Sequence, residues 1–512
     1  MKLNKIEKLK LNLSPKEFYD RLEKIDPKNL TDADIFYLKN FGIYTTKQHP
    51  DKFMLRIRIP AGRIEKKSLK AIAQKSYRRK VLITARAQIE IHGLDFKEAL
   101  KTHKELLGYG LTTLATLTDN IRNIVTDPMD GYGKESIIEV YPIIKEMEKI
   151  ALDMDNLGML PRKFNAAISG NRKNVVSFFT NDCYFALAKR GEEYGFRLFL
   201  GGKNSAFAKD TGLFIKKEQV VDVFGAIIEA YKKYGPRGSR NRARLFHFIE
   251  EIGLEGFLEK MKEFYPDGLE SGGEVLTGKY LTKIGGVRIH ETRFGEVEPE
   301  ELERLSKDEG EIRLGADQNI YTLFPKGDSA YKRGFLTVCA GSRYCIYSLF
   351  DTKEEAARVE NLLKGLVVGY SGCLKGCGRH IACDIGFVGI RTNAYGRVER
   401  GVRLFLGGEY TFGEKPARQI YWAVPLRKLS LVLGSIMDDF KKSGFKDFEE
   451  YSKNVLNRFS AEFLGYYFLA KIYANGKTAL KGIKEEDDIF ALGFENFQEA
   501  VKELEKRLYS CE

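Results

Sequence analysis

Four of the seven cysteines form two spaced pairs in the second half of the chain. Cys339 and Cys345 have C-x5-C spacing, and Cys373 and Cys377 have C-x3-C spacing. Structural zinc sites favour closer C-x2-C or C-x4-C pairs, so this pattern fits zinc poorly. Four thiolates can also hold a [4Fe–4S] cluster. Thiols stay reduced in the cytoplasm, which argues against disulfides.

The other cysteines suggest no chemistry of their own. Cys183, Cys383 and Cys511 are predicted to be ordinary buried or tail thiols. The segment 351–366 between the two pairs has the composition of a helix, with Thr352 and Glu355 as a capping box. Both cysteine pairs would then lie on loops at the ends of that helix.

The net charge narrows the range of partners. Lys and Arg number 84 against 71 Asp and Glu, a formal charge of +13, which suits nucleic acid, acidic proteins or small anions. The basic residues are spread along the chain without a recognised nucleic-acid motif, so nucleic acid is the weakest of the three. No apolar run approaches the ~20 residues that span a bilayer. We therefore predict a cytoplasmic protein without membrane insertion.

Two pairs of segments repeat along the chain. GFRLFLGG begins at residue 195 and GVRLFLGG at residue 401, an offset of 401 − 195 = 206, and Ser169-Gly170 matches Ser371-Gly372. A weaker match aligns 53–93 with 283–323, with Arg58 opposite Arg288 and Gln88 opposite Gln318. Ordered matches of this kind predict two duplicated halves packed about a pseudo-twofold axis, with a site between them.

The local patterns predict a mixed α and β fold. MLRIRIP, VLITARAQIEIHG, VVSFF and FRLFLGG have the alternation or composition of strands, and 66–77 and 136–152 have helical spacing. Helices are predicted to dominate 425–510. The strand–helix–strand order near the start indicates a compact α+β unit.

The string SGCLKGCGRHIACDIGFVG (371–389), preceded by CAGSRYC, resembles the sirohaem-containing nitrite and sulfite reductases. The LPRKFN string and the RLFLGG repeats have counterparts there in the same order. The resemblance implies a pseudo-twofold α+β architecture with sirohaem between the halves. It divides the chain into an N-terminal helical segment (1–45), two ferredoxin-like half-domains (46–115 and 266–328), a first reductase repeat (116–265) and a second repeat with C-terminal helices (329–512).

In that family four cysteines hold a [4Fe–4S] cluster, and the last of them also ligates the sirohaem iron. The resemblance assigns the cluster to Cys339, Cys345, Cys373 and Cys377, with Cys377 as the shared ligand. Sharing one thiolate would give electrons a covalent route into the site.

The family binds its substrate anion with cationic side chains on the distal face of the sirohaem. By motif these are Arg56 in MLRIRIP, Arg122 in TDNIRNIV and Lys163 in LPRKFN. Such groups supply positive charge and protons to an anion that loses oxygen as water.

Sirohaem carries eight carboxylates and needs many hydrogen-bond donors. The motifs nominate Thr84, Arg86, Gln88, Gln318 and Asn319 as its contacts. The arginines of RGSRNRAR either contact sirohaem or form an exposed helix start, two interpretations of equal weight; they are Arg237, Arg240, Arg242 and Arg244.

Two residues depart from the family pattern. Lys375 stands where the family commonly has Asn, and its charge would either adjust the cluster potential or point to solvent. Glu90 stands where the family has Gln, which adds a carboxylate near a carboxylate-rich cofactor. One sirohaem contact is therefore in doubt unless Glu90 is protonated or turned away.

Asn165 occupies the position that distinguishes the nitrite reductases of the family from its sulfite reductases. Sulfite reductases tend to have Lys-x-Lys at this motif and nitrite reductases Lys-x-Asn, as found here at 163–165. Nitrite is a monoanion and sulfite mostly a dianion, so fewer cations suit nitrite. The prediction is therefore six-electron reduction of nitrite to ammonia, with sulfite reduction to sulfide as the alternative.

The electron donor is inferred to be a separate protein. No G-x-G-x-x-G fingerprint for a nicotinamide or flavin stands out, and a small acidic ferredoxin would complement a basic surface. A rival interpretation is an inactive cluster protein or a nucleic-acid binder with a structural cluster. That rival predicts the loss of Arg56, Arg122 or Lys163, and all three are present.

Overall fold

The computed structural model divides the chain into two compact units. Unit 1 holds 1–203 with 207–332, and unit 2 holds 204–206 with 333–512. Helices and sheets occur in both, which confirms the predicted α+β class. The described part of the chain contains no helix long and apolar enough to cross a membrane. The structure describes residues 3–46, 49–279, 283–325, 329–331, 334–393, 398–474, 494 and 496–509, so Cys511 lies outside it.

Unit 1 begins with three short helices and continues into the first half-domain. These elements are α1 (Lys5–Asn12), α2 (Pro15–Tyr19), α3 (Asp32–Leu38), β1 (Ile43–Thr46), β2 (His49–Ile57), β3 (Arg63–Ile64), α4 (Lys66–Lys75), β4 (Val81–Ile83), β5 (Ile89–Leu94) and α5 (Phe96–Leu107).

The first repeat and the second half-domain complete unit 1. Their elements are α6 (Tyr141–Leu152), β6 (Ala166–Ser169), β7 (Cys183–Arg190), β8 (Glu193–Leu200), β9 (Lys209–Ile215), α7 (Val220–Tyr234), α8 (Leu245–Lys262), β10 (Glu270–Ser271), β11 (Glu274–Val275), β12 (Lys283–Gly285), β13 (Val287–His290), β14 (Glu296–Val297), α9 (Pro299–Leu305), β15 (Glu311–Leu314), β16 (Ile320–Leu323) and β17 (Ser329–Tyr331).

Unit 2 contains the second repeat and the C-terminal helices. Its elements are β18 (Phe335–Val338), α10 (Thr352–Val359), β19 (Val367–Ser371), β20 (Ile385–Thr392), β21 (Glu399–Leu406), β22 (Arg418–Pro425), α11 (Leu429–Lys442), α12 (Phe448–Asn454), α13 (Ala461–Ala474) and α14 (Phe497–Tyr509).

The two half-domains exchange short strands. The first half-domain forms the sheet β1-β2-β5-β4, and β14 of the second half-domain adds to its edge, with Glu296 opposite Leu82. The second forms β13-β16-β15, and β3 of the first adds to its edge, with Ile312 opposite Ile64. Side chains from both half-domains fill one hydrophobic core. This reciprocal pairing is the arrangement expected of a duplicated unit.

The RLFLGG repeats occupy equivalent strands in the two units. In unit 1, β6 runs parallel to β7, and β7, β8 and β9 are antiparallel neighbours. In unit 2, β19, β20, β21 and β22 repeat the same order and directions. Ser169 lies opposite Ala186 and Ser371 opposite Val388, both at the offset of 388 − 186 = 202. The predicted duplication is therefore confirmed.

The weaker repeat was aligned in the wrong register. VLITARAQIEIHG is not one strand but the hairpin β4–β5, whose turn is closed by the Thr84 N–H donating to the Gln88 carbonyl at 2.8 Å. In the second half-domain the Gly315 N–H closes the same turn on Asn319, also at 2.8 Å. The counterpart of Gln88 is therefore Asn319, not Gln318, because turn geometry rather than residue identity sets the register.

Two local predictions were also wrong. Residues 175–179 (VVSFF) form no strand, and the Val175 N–H donates to a side chain, Asp127 Oδ2, at 2.6 Å. The helix between the cysteine pairs begins at Thr352, so its N-cap is Asp351, whose carboxylate accepts from the backbone N–H groups of Lys353 and Glu354. The N–H groups of the first helical turn thus donate to the Asp351 carboxylate, one residue before the predicted cap, Thr352.

Asp439 is the polar centre of the C-terminal helices. Its buried carboxylate accepts hydrogen bonds from Tyr451 Oη at 2.5 Å, Lys471 Nζ at 2.7 Å and Tyr509 Oη at 2.8 Å, and also from Tyr467 Oη. These donors come from α12, α13 and α14, so one carboxylate on α11 joins three other helices.

Asp439→Asn should destabilise unit 2 strongly, because it leaves the buried Lys471 ammonium without its counter-charge. Breaking a buried ion pair on one side costs about 3–5 kcal/mol. Asp438→Asn is the matched control, since Asp438 is the adjacent exposed residue of the same helix. Thermal unfolding of the two variants provides the measurement, and equal midpoints would contradict the assigned role.

Candidate functional site

Parallel strands bring the cysteine pairs together. Val338 of β18 lies opposite Tyr370 of β19, and the Cys339 N–H continues the ladder by donating to the Tyr370 carbonyl at 2.9 Å. The carboxyl ends of parallel neighbours meet at the same edge of a sheet. Cys339 directly follows β18, and Cys373 follows β19 by two residues. The sheet thus places one cysteine of each pair at a shared edge.

Backbone donors and mutual repulsion characterise the four sulfurs. The Gly372 N–H donates to Cys339 Sγ at 3.1 Å. Burial, together with negative charge on Cys377, raises the pKa of Cys339 to about 11. The pKa values of Cys345 and Cys373 are also raised, first by burial and then by Cys377. Four neighbouring thiolates need positive charge among them, which an iron–sulfur core supplies.

The loop around Cys373 and Cys377 has no room for larger residues. A Cβ on Gly372 would lie 1.9 Å from Ser348 Oγ, and one on Gly376 would lie 2.6 Å from the His380 ring. Gly376 also has a φ of +66°. The glycines of SGCLKGCG are therefore required by close packing, which holds the cysteine loop against the end of the sheet.

The cysteines are not arranged for a single metal ion. Among the described residues, no three His, Cys, Asp or Glu side chains lie close enough to hold one ion. A four-iron cluster places each thiolate on a different iron, so its sulfurs stand further apart than the ligands of one ion. Cys377 is exposed, and the other three cysteines of the quartet are half-buried.

Lys375 lies on the surface of the cysteine loop. Its ammonium stands 2.9 Å from the centroid of the Tyr347 ring, and its carbonyl accepts from Asn204 Nδ2 at 2.7 Å. Both contacts join the loop to neighbouring residues of unit 2. Cys183 and Cys383, by contrast, are buried free thiols, as predicted.

Arg56 is held by a carboxylate on the neighbouring strand. Arg56 in β2 lies directly opposite Glu90 in β5, and Glu90 Oε1 accepts from its Nε at 2.8 Å. The other oxygen of Glu90 lies 2.8 Å from His92 Nε2. Burial favours the neutral acid, but Arg56 and His92 outweigh it and hold the pKa of Glu90 at about 2. Glu90 is therefore ionised and faces Arg56.

Arg122 is a buried cation in contact with backbone carbonyls. Its guanidinium donates to the carbonyls of Thr116 and Thr118, and Arg56 Nη1 donates to the same Thr116 carbonyl at 3.3 Å. Burial lowers the pKa of Arg122 well below its usual value, and the charges of Arg56 and Arg162 lower it further. Within the part of the chain that the structure describes, its buried Nε has no hydrogen-bond partner. These guanidiniums lack sufficient negative charge, and an anion would supply it.

Lys163 and Asn165 flank a short parallel bridge beside Arg122. The Arg122 N–H donates to the Phe164 carbonyl at 2.8 Å, so the two motifs TDNIRNIV and LPRKFN run side by side. Lys163 is half-buried, and Asn165 is buried with its N–H donating to Asp182 Oδ2 at 2.8 Å. The structure thus brings Arg56, Arg122 and the Lys163 motif to one region of unit 1.

Arg162 and Asp119 were missed by the sequence analysis. Asp119 is fully buried and pairs with Lys10 at 3.0 Å, Arg162 at 3.3 Å and Arg240 at 2.7 Å. Burial opposes its ionisation, but Lys10 and the two arginines hold the pKa of Asp119 at about 2. The only signal was the position of both residues inside the recognised motifs, next to Lys163 and three before Arg122.

The predicted sirohaem contacts of the first half-domain lie in the β4–β5 turn. Thr84 Oγ1 accepts from the N–H groups of Arg86 and Gln88 at 3.3 and 3.2 Å. Arg86 donates to Asn181 Oδ1 at 2.7 Å and to two backbone carbonyls. The buried Gln88 amide nitrogen has no hydrogen-bond partner among the described residues. Such a donor fits a bound acceptor group such as a carboxylate.

The second half-domain supplies the matching turn. Gln318 Nε2 donates to the Ile83 carbonyl at 2.9 Å, which places its turn against the end of β4. Asn319 is held by Asp317 Oδ2, which accepts from its amide at 2.8 Å. The two nominated sets of residues, Thr84 to Gln88 and Gln318 with Asn319, therefore lie side by side in unit 1.

The arginines of RGSRNRAR serve mainly internal ion pairs. Arg237 pairs with Glu7 at 2.5 Å and donates to the carbonyls of Met159 and Lys232. Arg244 pairs with Asp182 at 2.6 Å, while Arg242 is exposed. These contacts, with the Arg240–Asp119 pair, give three of the four arginines partners within the protein, and contact of Arg237 with sirohaem stays a prediction. The competing interpretation, an exposed helix start, holds only for Arg242.

Two segments of unit 1 match models of known protein domains. Residues 46–109 match the model of the nitrite/sulfite reductase ferredoxin-like half domain, and residues 117–266 match the nitrite and sulphite reductase 4Fe-4S domain. The second match falls on the first repeat, whereas the four cysteines lie in the second.

Full-length relatives extend the similarity to both units. The ferredoxin–nitrite reductase of Synechococcus elongatus is 28% identical over 483 residues, covering 81% of this chain and 93% of the relative. The chloroplastic enzyme of Spinacia oleracea is 26% identical, covering 85% of each chain. The solved Mycobacterium tuberculosis NirA protein shares the fold, with a TM-score of 0.80, 21% identity and coverage of 90% of this chain and 97% of that one. The chain is therefore similar to the nitrite and sulfite reductase family in two matched domains and over most of its length.

Proposed function

We propose that this protein reduces nitrite to ammonia at a sirohaem coupled to a [4Fe–4S] cluster, with electrons from reduced ferredoxin. The observation that carries the proposal is the buried Arg122 guanidinium. It shares the Thr116 carbonyl with Arg56, and its Nε has no hydrogen-bond partner among the residues described. A preorganised group of cations of this kind stabilises an anion in a site sheltered from water. Its relatives in cyanobacteria and plants are ferredoxin–nitrite reductases.

The cysteine quartet supplies the ligands. Cys339, Cys345, Cys373 and Cys377 would hold the cluster, with backbone N–H groups such as that of Gly372 donating to sulfur. Cys377, the exposed member, would also ligate the sirohaem iron. When bound, the cluster and the sirohaem would relay to nitrite the six electrons that reduced ferredoxin supplies. Thr84, Arg86, Gln88, Gln318 and Asn319 are the proposed sirohaem contacts.

The protein's own residues bind the substrate and deliver protons. Conversion of nitrite to ammonium and two waters consumes six electrons and eight protons. Arg56, Arg122 and Lys163 would donate hydrogen bonds to the oxygens of nitrite and favour their departure as water. As the anion binds, its charge offsets the repulsion between Arg56 and Arg122.

Asn165 favours nitrite over sulfite. A second lysine at this position would add a positive charge and suit a dianion, whereas Asn adds none. We place the enzyme in the cytoplasm and in nitrate assimilation. The assimilatory role is supported by the Haloferax mediterranei relative, an assimilatory ferredoxin-dependent nitrite reductase.

Cys377→Ser should remove both prosthetic groups, because it deletes the thiolate proposed to join them. The absorption spectrum of the purified protein should lose the sirohaem bands and most of the cluster absorption. Cys383→Ala is the matched control, since Cys383 is a buried thiol six residues away. A full sirohaem spectrum in Cys377→Ser would refute the ligand assignment.

Asn165→Lys should raise the sulfite-to-nitrite ratio of kcat/KM roughly tenfold, because a nearby positive charge attracts a dianion more strongly than a monoanion. Asn165→Gln controls for the longer side chain without the charge. Steady-state turnover with reduced methyl viologen gives both ratios for protein that retains its sirohaem spectrum. An unchanged ratio would show that Asn165 does not determine the selectivity between nitrite and sulfite.

Activity with reduced ferredoxin should fall several-fold as ionic strength rises from about 0.01 to 0.15 M, because salt screens attraction between the basic enzyme and an acidic donor. Methyl viologen is the control donor, since it needs no protein docking. A rate with ferredoxin that does not change with salt would exclude electrostatic docking.

A further inference from the structure

We propose that Glu90 tunes the anion site for a monoanion, by positioning Arg56 and by placing one negative charge beside it. This inference rests on the proposed function, because it concerns the choice between nitrite and sulfite at the same site. Glu90 is a positioning residue here, since its contacts are with Arg56 and His92.

The strand register puts Glu90 in place. Arg56 and Glu90 are directly opposed across β2 and β5, and His92 is two residues further along β5, so its side chain points to the same face as Glu90. Glu90 Oε1 accepts from Arg56 Nε at 2.8 Å and lies 2.5 Å from Nη2. Both N–H groups on one edge of the guanidinium are thus held by a single carboxylate oxygen.

This contact determines where the rest of Arg56 points. With one edge on Glu90, Nη1 reaches the Thr116 carbonyl that also accepts from Arg122. Two like charges would otherwise separate, and an arginine on a strand has the freedom to turn away. Only 5% of the Glu90 side chain is exposed, so water screens its pull on Arg56 weakly.

Glu90 also sets the charge that an anion meets. The charged groups that act on Arg122 are Arg56, Arg86, Arg162 and Asp119. Asp119 offsets Arg162 at 3.3 Å, and Glu90 offsets Arg56, while His92 faces Glu90 from the other side. The repulsion from a carboxylate scales with the charge of the incoming anion, so sulfite loses about twice what nitrite loses. Glu90 therefore favours nitrite.

Glu90→Gln tests this directly, since it keeps the shape and removes the charge. In the holoenzyme, the sulfite-to-nitrite ratio of kcat/KM should rise on the order of tenfold. The ratio of the two dissociation constants, measured by titrating each anion against the sirohaem absorption, should shift in the same direction. Glu90→Ala also removes the charge and adds no bulk, so it serves as the second variant if Glu90→Gln does not fold. It should shift both ratios in the same direction.

Two variants serve as controls. Glu90→Asp retains the charge and should keep the preference for nitrite, even where a longer contact to Arg56 raises KM. Glu259→Gln makes the same change in net charge at an exposed surface pair, with Lys262 at 2.6 Å, and should leave both ratios unchanged.

The outcomes separate this inference from the proposed function. If the wild-type holoenzyme fails to reduce nitrite, the proposed function is wrong, and the anion dissociation constants still report on Glu90. If the wild type reduces nitrite but folded Glu90→Gln and Glu90→Ala keep its ratios, the role of Glu90 alone is overturned.

Discussion

Repulsion between buried guanidiniums is the constraint around which unit 1 is organised. Arg122 lies among Arg56, Arg86 and Arg162, and burial makes the positive charge of Arg122 more costly. Two buried carboxylates, Glu90 and Asp119, offset part of that charge and are held ionised by it. The positive charge that remains unbalanced is that of Arg122, whose guanidinium donates hydrogen bonds to neutral backbone carbonyls. The site therefore lacks negative charge that one bound anion would supply.

Duplication explains how one chain builds two different sites from the same elements. Both repeats contain neighbouring parallel segments, but opposite ends of these segments carry the candidate residues. In unit 2 the cysteines follow the carboxyl ends of β18 and β19, whereas in unit 1 Arg122 and Lys163 lie at the amino ends of the corresponding segments, 121–125 and 164–168. The half-domains add Arg56 and the two turns with the nominated sirohaem contacts.

Features that depend on spacing were predictable from the sequence. The cysteine pattern, the RLFLGG repeats, the helical C-terminal region and the cation motifs were all found, because each reflects a local requirement. The hairpin in VLITARAQIEIHG was not, since its alternation continues through the turn and only backbone geometry at Ala87, with a φ of +52°, reveals the break. VVSFF failed as a strand because its backbone bonds to Asp127 rather than to a neighbouring strand.

Contacts between residues that are far apart in the sequence could not be predicted either. Nothing in the string RGSRNRAR indicates that Arg237 meets Glu7 or that Arg240 meets Asp119, because these partners lie more than a hundred residues away. The same holds for the Thr116 carbonyl, which has no side-chain signature. The contact of Glu90 with Arg56 was likewise invisible until the register of β2 and β5 was known.

Steady-state turnover of nitrite against sulfite by the holoenzyme, with reduced methyl viologen as donor, tests the central claim most directly. A cationic site balanced for a monoanion predicts a higher kcat/KM for nitrite than for sulfite. A higher kcat/KM for sulfite, or no turnover of nitrite by protein with a full sirohaem spectrum, would contradict it.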